Sequence, residues 1–285
     1  IDTGDGMTTI FISEETSGLS DMAGIVLVTG HVLLEGTDDN SEIAVEFERT
    51  SPTPVTYDTV YTDAGGYYQH LPEAGIYNVN TYKYGWQPGQ LGGVYLTVNI
   101  DLDTLAMEQG FAVYVGGEIS GNWTNENIYY VTSPVNVSAG DTLNIQEGVR
   151  VRFTDFFSFT VNGVLIAEGS ESLPIVFTSG QPTPAPGDWS GITLNGEGNI
   201  LKNLEYSYAL DGISGTGAHQ TTIENCSVSD LPLDSDGLHF TDSHYLNINQ
   251  NTIDVNGTHG IYAYNSDNSV FDGNTVTGRP DHGLY

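Results

Sequence analysis

The chain has 285 residues, of which 37 are Asp or Glu and six are Lys or Arg, so its formal net charge at pH 7 is −31. A surface this negative repels nucleic acids and anionic membranes, and neither is expected as a partner. No apolar run reaches the ~18 residues of a membrane span. The single cysteine, Cys226, excludes an intrachain disulfide framework and a multi-cysteine metal site.

Short runs rich in Val, Ile, Thr and Tyr alternate with polar residues and are separated by turn residues along the whole chain. This pattern predicts an all-β protein. Residues 1–23 form a lead-in whose one strand-like run, Thr8–Ile12, has no hairpin partner nearby. We interpret Thr8, Ile10 and Ile12 as a candidate donor strand that adds to a neighbouring molecule.

Residues 24–110 are predicted to form a small β-sandwich of the immunoglobulin or transthyretin type. The predicted strands are Ile25–Leu34, Ile43–Glu48, Tyr57–Tyr61, Gly66–His70, Tyr77–Tyr84 and Tyr95–Asp101. The turn at Asp63-Ala64-Gly65-Gly66 uses glycine where positive φ is needed. With Val28–Val32, Ile43–Phe47, Thr62–Tyr68 and Gly75–Val79, this stretch resembles the carboxypeptidase regulatory-like, or transthyretin-like, family. The resemblance implies a spacer or attachment domain.

Residues 111–285 contain an internal repeat of 21 to 25 residues. One element is glycine before an aliphatic residue, at Gly191-Ile192, Gly212-Ile213, Gly237-Leu238, Gly260-Ile261 and Gly283-Leu284. A second element pairs an apolar residue with Asn or Cys three positions later, at Ile200/Asn203, Ile223/Cys226, Ile248/Asn251 and Phe271/Asn274. Strand-type repeats of this length indicate a solenoid of stacked parallel strands.

The combination of the asparagine column with the Gly-aliphatic column resembles the pectate-lyase-like β-helix family. The preceding segments Gly140–Val149, Val164–Gly169, Pro174–Thr178 and Gly187–Ile192 are similar to the opening coils of β-helices in bacterial and archaeal surface proteins. We therefore expect a right-handed parallel β-helix over residues 111–285. In such a coil Cys226 takes an asparagine-ladder position and is not a reactive thiol.

The residue before each Gly-aliphatic pair forms a chemically unusual column: Ser190, Asp211, Asp236, His259 and His282. If the chain is an enzyme, Asp211, Asp236, His259 and His282 are the candidate acids and bases for hydrolysis of a neutral polysaccharide. No cofactor is certain, but Asp234 and Asp236 are candidate ligands for Ca2+. Turn conformation alone also favours such short polar residues, so a purely structural role stays open.

The residue after each aliphatic position is predicted to face outward and includes His239, Tyr262 and Tyr285. These side chains are candidates for glycan binding. A polyuronate lyase is not expected, because from Asn199 onward only Lys202 and Arg279 carry a positive charge. The Gly-His-Gly that the family's polygalacturonan hydrolases carry is not matched by Thr258-His259-Gly260 or Asp281-His282-Gly283.

The sequence stops in the middle of a repeat, which predicts either a longer protein or a subunit that covers the last coil through Leu284 and Tyr285. Head-to-tail contacts of this kind give polymers. Sequons at Asn122, Asn136, Asn225 and Asn256 are candidate glycosylation sites of a secreted protein. The leading interpretation is a non-enzymatic, extracellular or cell-surface filament or sheath subunit. The alternatives are a glycan-binding adhesin and a carbohydrate-active enzyme.

Overall fold

The computed structural model describes residues 24–52, 55–278 and 281–285. The chain divides between Gln109 and Gly110 into two compact units. All regular secondary structure in the described ranges is β-strand. These ranges contain no helix that is long and apolar enough to cross a membrane. The predicted lead-in with Thr8, Ile10 and Ile12 lies outside the described residues.

The first unit is a sandwich of two four-stranded sheets. Its strands are β1 (Val28–Leu34), β2 (Ala44–Ser51), β3 (Thr56–Tyr61), β4 (Tyr67–His70), β5 (Gly75–Tyr82), β6 (Gly89–Leu96), β7 (Ile100–Asp101) and β8 (Leu105–Met107). One sheet has the order β4-β1-β7, with β8 also pairing β1, and the other has the order β3-β2-β5-β6. Alternate residues of the strands, such as Val45, Phe47, Tyr77 and Val79, are buried between the sheets.

Most predicted sandwich strands are present, but the strand predicted at Tyr95–Asp101 is wrong in its bounds. The chain instead forms β6 over Gly89–Leu96, followed by the short parallel strand β7. Three glycines lie within β6, at positions 89, 92 and 93. Glycine has a low strand propensity, so the sequence pattern did not predict a strand at this segment. Pairing with β5 stabilises it nevertheless.

The second unit is a parallel β-helix with three faces. Face 1 consists of residues 111–115 of β9 (Phe111–Glu118), residues 127–131 of β11 (Asn127–Val137), β13 (Arg150–Phe153), β16 (Ile175–Ser179), β19 (Leu204–Ser207), β22 (Ser227–Ser229), β25 (Thr252–Val255) and β28 (Thr275–Gly278). Face 2 consists of the ends of β9 and β11, then β14 (Ser158–Val161), β17 (Gly191–Leu194), β20 (Ile213–Thr216), β23 (Leu238–Thr241), β26 (His259–Tyr264) and β29 (His282–Leu284). Face 3 consists of β10 (Gly121–Trp123), β12 (Thr142–Ile145), β15 (Val164–Glu168), β18 (Ile200–Lys202), β21 (Thr222–Glu224), β24 (Asn247–Asn249) and β27 (Val270–Asp272).

A single hydrophobic core runs through the coils of the second unit. The first coils are filled by aromatic side chains, with Phe153 and Trp189 stacked at a centroid distance of 3.8 Å. The later coils contain an aliphatic column from face 2, in which Ile192, Ile213, Leu238 and Ile261 pair in register. The all-β fold with a right-handed β-helix is therefore confirmed, and the Gly-aliphatic repeat is its face 2 column.

Close backbone approach requires the glycine of every Gly-aliphatic pair except the last, Gly283, where no atom lies within 4 Å of an added Cβ. A Cβ atom on Gly212 would lie 1.8 Å from the carbonyl oxygen of Gly237 in the next coil. A Cβ on Gly237 or Gly260 would meet the carbonyl oxygen of the next glycine of the column at 2.6 and 2.7 Å. The chain therefore turns from face 1 into face 2 at a corner that admits no side chain.

The asparagine ladder is present, but its first member differs from the predicted one. Pairing places Leu201 opposite Ile223 and Glu205 opposite Ser227, so Leu204 precedes Cys226 in the column. Asn203 lies one position earlier, at φ 49°, with Asn225 at 54° and Gln250 at 57° in the following coils. It therefore occupies the left-handed corner position, which asparagine tolerates.

Candidate functional site

The two predicted columns meet on face 2 of the last three described coils. His259 pairs with His282, and His239 pairs with Tyr262 in the parallel ladder. Strand alternation turns Leu238 and Ile261 inward, so the residues that follow them, His239 and Tyr262, face outward. Asp236 and His259 lie before the glycine of each pair, and His259 is half-buried. The candidate site therefore consists of Asp236, His239, His259, Tyr262, His282 and Tyr285.

The carboxylate of Asp236 holds two imidazoles. His239 Nδ1 donates to Asp236 Oδ2 at 2.7 Å, and His259 Nδ1 donates to Oδ1 at 3.0 Å. The backbone N–H of His259 also donates to Oδ1, at 2.8 Å. Because a carboxylate accepts only, both Nδ1 atoms carry the proton, and in the neutral rings Nε2 is the acceptor. Asp236 thus ties its own coil to the next one.

The aromatic rings of this site stack on one another along the helix axis. His239 and Tyr262 have centroids 4.5 Å apart with 22° between their planes, and Tyr262 and Tyr285 are 5.2 Å apart at 3°. His259 stacks on His282 at 5.4 Å. The rings cover each other's faces, so Tyr262 presents its edge and hydroxyl to solvent. A sugar that stacks on Tyr262 would have to displace His239 or Tyr285 from one of its faces.

A cleft of about 220 Å³ lies next to Asp236 and His239 and is lined by three carboxylates, those of Asp211, Asp234 and Asp236. Asp234 has a left-handed backbone at φ 71°. Within the described ranges, no three His, Cys, Asp or Glu side chains are arranged to hold a metal ion. The Ca2+ ligands predicted at Asp234 and Asp236 share this cleft without forming such a set.

Among the residues that the structure describes, no hydroxyl forms a hydrogen bond with the imidazole of His239. Ser214 pairs with His239 in the strand register, but its hydroxyl lies 3.4 Å from both the carbonyl oxygen of Ile192 and Thr193 Oγ1. Nucleophilic catalysis needs a hydroxyl within reach of the imidazole. The arrangement provides the base and the residue that orients it, but the hydroxyl is directed elsewhere.

A larger groove, of about 570 Å³, lies at the corner between faces 3 and 1. It is lined by polar residues such as Asn203, Glu205, Asn225 and Gln250, and Cys226 lies beneath it. None of the predicted acids, imidazoles or tyrosines of face 2 contributes to this groove, although the predicted sequon residue Asn225 does. The acidic side chains in its lining are those of Glu171 and Glu205.

Cys226 occupies the ladder position and is buried. Its N–H donates to Asn251 Oδ1 at 2.9 Å, and its Sγ lies 3.5 Å from the carbonyl oxygen of Leu201. Burial raises the pKa of the thiol to about 12. Since the thiolate is the nucleophile, Cys226 is inert in the folded chain.

Two further histidines, His219 and His244, form another ladder at the corner between faces 2 and 3. His219 and His244 stack at 5.1 Å with 7° between their planes. His219 Nδ1 accepts the N–H of His244, and His244 Nδ1 accepts the N–H of Asp267, both at 3.0 Å. The interval of 25 residues between them matches the local repeat, and this spacing could have predicted from the sequence that the two histidines stack.

The sequon asparagines differ in their surroundings. Asn122, Asn225 and Asn256 are exposed. The Nδ2 atom of Asn136 donates to both carboxylate oxygens of Glu118, at 2.9 and 2.7 Å. That nitrogen is the atom a glycan would modify, so glycosylation of Asn136 requires these bonds to break.

Two family models match the second unit. Residues 185–285 match the right-handed β-helix region, and residues 117–216 match the pectate-lyase-like β-helix domain. No curated protein matches the sequence. The resemblance of residues 24–110 to the carboxypeptidase regulatory-like family has no counterpart among these matches.

Similar solved structures include two interface mutants of a type II cohesin–X-dockerin complex from Acetivibrio cellulolyticus. They share 20% and 21% identity, each over 30% of this chain and 58% of theirs, with a TM-score of 0.25. The Bacillus anthracis TIE protein shares 14% identity over 34% of this chain and 19% of its own, with a TM-score of 0.24. We draw no functional argument from similarities of this size. The observed coils and the family matches agree that residues 117–285 form β-helix, matched by the pectate-lyase-like model over residues 117–216 and by the right-handed β-helix model over residues 185–285.

Proposed function

We propose that the chain is part of an extracellular structural protein in which the β-helix is a rigid rod, and that the Asp–His–Tyr cluster of face 2 fastens neighbouring coils together. The observation that carries this proposal is the engagement of both Asp236 oxygens. One oxygen accepts from His239 in the same coil, and the other accepts from His259 in the next coil.

This engagement argues against the hydrolase alternative. A glycosidase needs one carboxyl group as an acid and another as a base or nucleophile, each directed at the substrate. Asp236 instead accepts three hydrogen bonds from His239 and His259. Both of its oxygens are therefore occupied by donors of the chain itself.

The ring stacks support the same role. Side-chain pairs across neighbouring strands stabilise a sheet by about 0.2–1 kcal/mol each. Three such pairs stabilise successive coils on their outer side: His239 with Tyr262, Tyr262 with Tyr285, and His259 with His282. They add to the buried column of Leu238 and Ile261 on the inner side of the same strands.

The test is to replace Asp236 and to measure thermal unfolding and hydrolysis of neutral polysaccharides side by side. We expect Asp236→Ala to lower the melting temperature, and Asp236→Asn to do so less because the amide oxygen still accepts. Asp254→Ala, at an exposed position on face 1, is the matched control and should melt like the parent. Release of reducing sugar by the parent chain, lost in Asp236→Ala without a change in melting, would establish the enzymatic alternative.

The finer parts of this proposal rest on the sequence. Residues 24–110 serve as a spacer or attachment domain, as their resemblance to the carboxypeptidase regulatory-like family implies. Head-to-tail assembly of copies through Leu284 and Tyr285, and secretion to the cell surface, stay predictions. Electron microscopy of the native protein, with light scattering beside it, tests assembly: filaments with a regular axial repeat are the expected result, and monodisperse particles would contradict it.

A further inference from the structure

The outer side of sheet β3-β2-β5-β6 in the first unit carries tyrosines that are largely exposed. Tyr57, Tyr61, Tyr82 and Tyr95 expose 63%, 65%, 45% and 70% of their surface. Tyrosine combines a large apolar ring with a polar end and is frequent where one side of a surface contacts a partner. Four such rings on one small sheet form a surface that calls for an explanation.

The strand register places two of these rings on either side of a shallow gap. Ala44 of the central strand β2 pairs with Tyr61 on one side and with Tyr82 on the other. The two tyrosines are therefore two strands apart, about 10 Å at normal sheet spacing. Only the methyl group of Ala44 lies between the two rings. The faces of Tyr61 and Tyr82 therefore do not cover each other, in contrast to the stacked rings on face 2 of the second unit.

Polar side chains fill the next two rows of the same surface. Glu46 pairs with Asn80 and Glu48 with Asn78. Asn80 Nδ2 donates to Glu46 Oε1 at 3.2 Å, and Asn78 Nδ2 donates to Glu48 Oε2 at 2.9 Å. These bonds fix the orientation of carboxylates and amides before any ligand arrives, which lowers the entropic cost of binding.

Tyr57 closes the polar rows on the side of strand β3. It pairs with Glu48, and its hydroxyl donates to Glu48 Oε1 at 3.3 Å. The negative charge of Glu48 raises the pKa of the Tyr57 phenol, so the phenol stays protonated and can serve as a donor. Tyr57 and Tyr61 lie four residues apart on one strand, about 13 Å.

We propose that this surface, which we call the tyrosine platform (Tyr57, Tyr61 and Tyr82 with Glu46, Glu48 and Asn78, above the buried Asn80), binds a neutral polysaccharide. The C–H groups of a pyranose ring carry slight positive charge and pack on the electron-rich face of a phenol. Sugar hydroxyls donate to Glu46 and Glu48. The two carboxylates, on a chain of net charge −31, repel an acidic polysaccharide, so the ligand is uncharged.

Affinity electrophoresis of the full chain in native gels tests the platform. The gels contain hydroxyethylcellulose, laminarin or galactomannan as neutral probes, and alginate as the anionic one. We expect retardation by at least one neutral probe and none by alginate. The double variant Tyr57→Ala/Tyr61→Ala should bind about tenfold more weakly, equivalent to about 1.4 kcal/mol. Tyr114→Ala, at an equally exposed tyrosine of the second unit, is the matched control and should bind like the parent.

A second variant separates loss of binding from loss of folding. Tyr57→Phe/Tyr61→Phe keeps both rings and should retain most of the affinity. Absence of retardation by every neutral probe would overturn the proposal, as would equal binding by the double alanine variant. Preferential retardation by alginate would also overturn it. So would a concentration-dependent dimer that the alanine variant abolishes, because the platform would then be an interface between copies.

Discussion

Asn251 is the side chain whose loss should weaken the β-helix most sharply. It is 1% exposed and connects three coils. Its Nδ2 donates to the carbonyl oxygen of Ile223 at 3.0 Å and to Asn274 Oδ1 at 2.9 Å, and its Oδ1 accepts the N–H of Cys226 at 2.9 Å. Asn251→Ala therefore takes a partner from the Cys226 N–H and from the Ile223 carbonyl.

The expected cost follows from the Cys226 N–H, which loses its acceptor, whereas the Ile223 carbonyl lies within the parallel ladder between β21 and β24. A buried donor left without a partner costs about 1–3 kcal/mol, so we expect a loss of about 1–3 kcal/mol in the free energy of unfolding. Asn274 Oδ1 still accepts the N–H of Asn251, at 3.0 Å, and adds little to this loss.

Equilibrium unfolding in urea, followed by far-ultraviolet circular dichroism, measures this change. Asn256→Ala, an exposed asparagine on the next corner, should stay within about 0.5 kcal/mol of the parent. Asn251→Asp keeps an acceptor for Cys226 but loses both donated bonds and buries a charge, so it should also destabilise strongly. An Asn251→Ala variant as stable as Asn256→Ala would refute the view that the asparagine ladder stabilises the coils.

Three further predictions test other parts of the molecule. Gly212→Ala should destabilise the fold by about 1–3 kcal/mol in thermal or urea unfolding, because the added Cβ has no room. Gly283→Ala, where no atom lies within 4 Å of the added Cβ, should be nearly neutral. Equal effects of the two substitutions would contradict the view that the corner at Gly212 is too crowded for a side chain. The pKa of Cys226 is raised to about 12 by burial, so a disulfide reagent at pH 8 should label it only after denaturation, and rapid native labelling would contradict its burial. Burial lowers the pKa of His70 despite the nearby carboxylate of Asp58. The neutral imidazole therefore stabilises the fold above the ordinary pKa of about 6.5, and this contribution is lost as the pH falls below that value. The decrease in melting temperature between pH 7.5 and 5.5 should be smaller in His70→Gln, and an equal decrease would exclude His70 as a cause.

The architecture of the second unit could be predicted because stacking converts sequence intervals into spatial columns. The Gly-aliphatic pairs recur at intervals of 21 to 25 residues, and each aliphatic residue pairs with the next one in register. The polar residues next to each pair had to follow in columns of their own, so Asp236, His239, His259 and Tyr262 could be expected to lie together.

The role of those residues could not be predicted, because it depends on ring orientation. A column of His239, Tyr262 and Tyr285 is compatible with rings that open their faces to solvent and with rings that cover each other. The observed stacking selects the second arrangement. The one-residue error at Asn203 has a similar origin, because asparagine suits both the inward ladder and the left-handed corner, and only the pairing of Leu201 with Ile223 separates them.

The uniform pairing between coils has a consequence for how such a chain can change in length. Each inner coil bonds to the coil before it and the coil after it, so removal of one whole repeat joins two surfaces that already have the same columns. Removal of a single residue within β20 or β23 would instead shift Ile213 or Leu238 out of the core and turn a polar neighbour inward. Insertions and deletions in this rod should therefore be tolerated in whole repeats or at the corners, and its length can be adjusted without redesign of its interior.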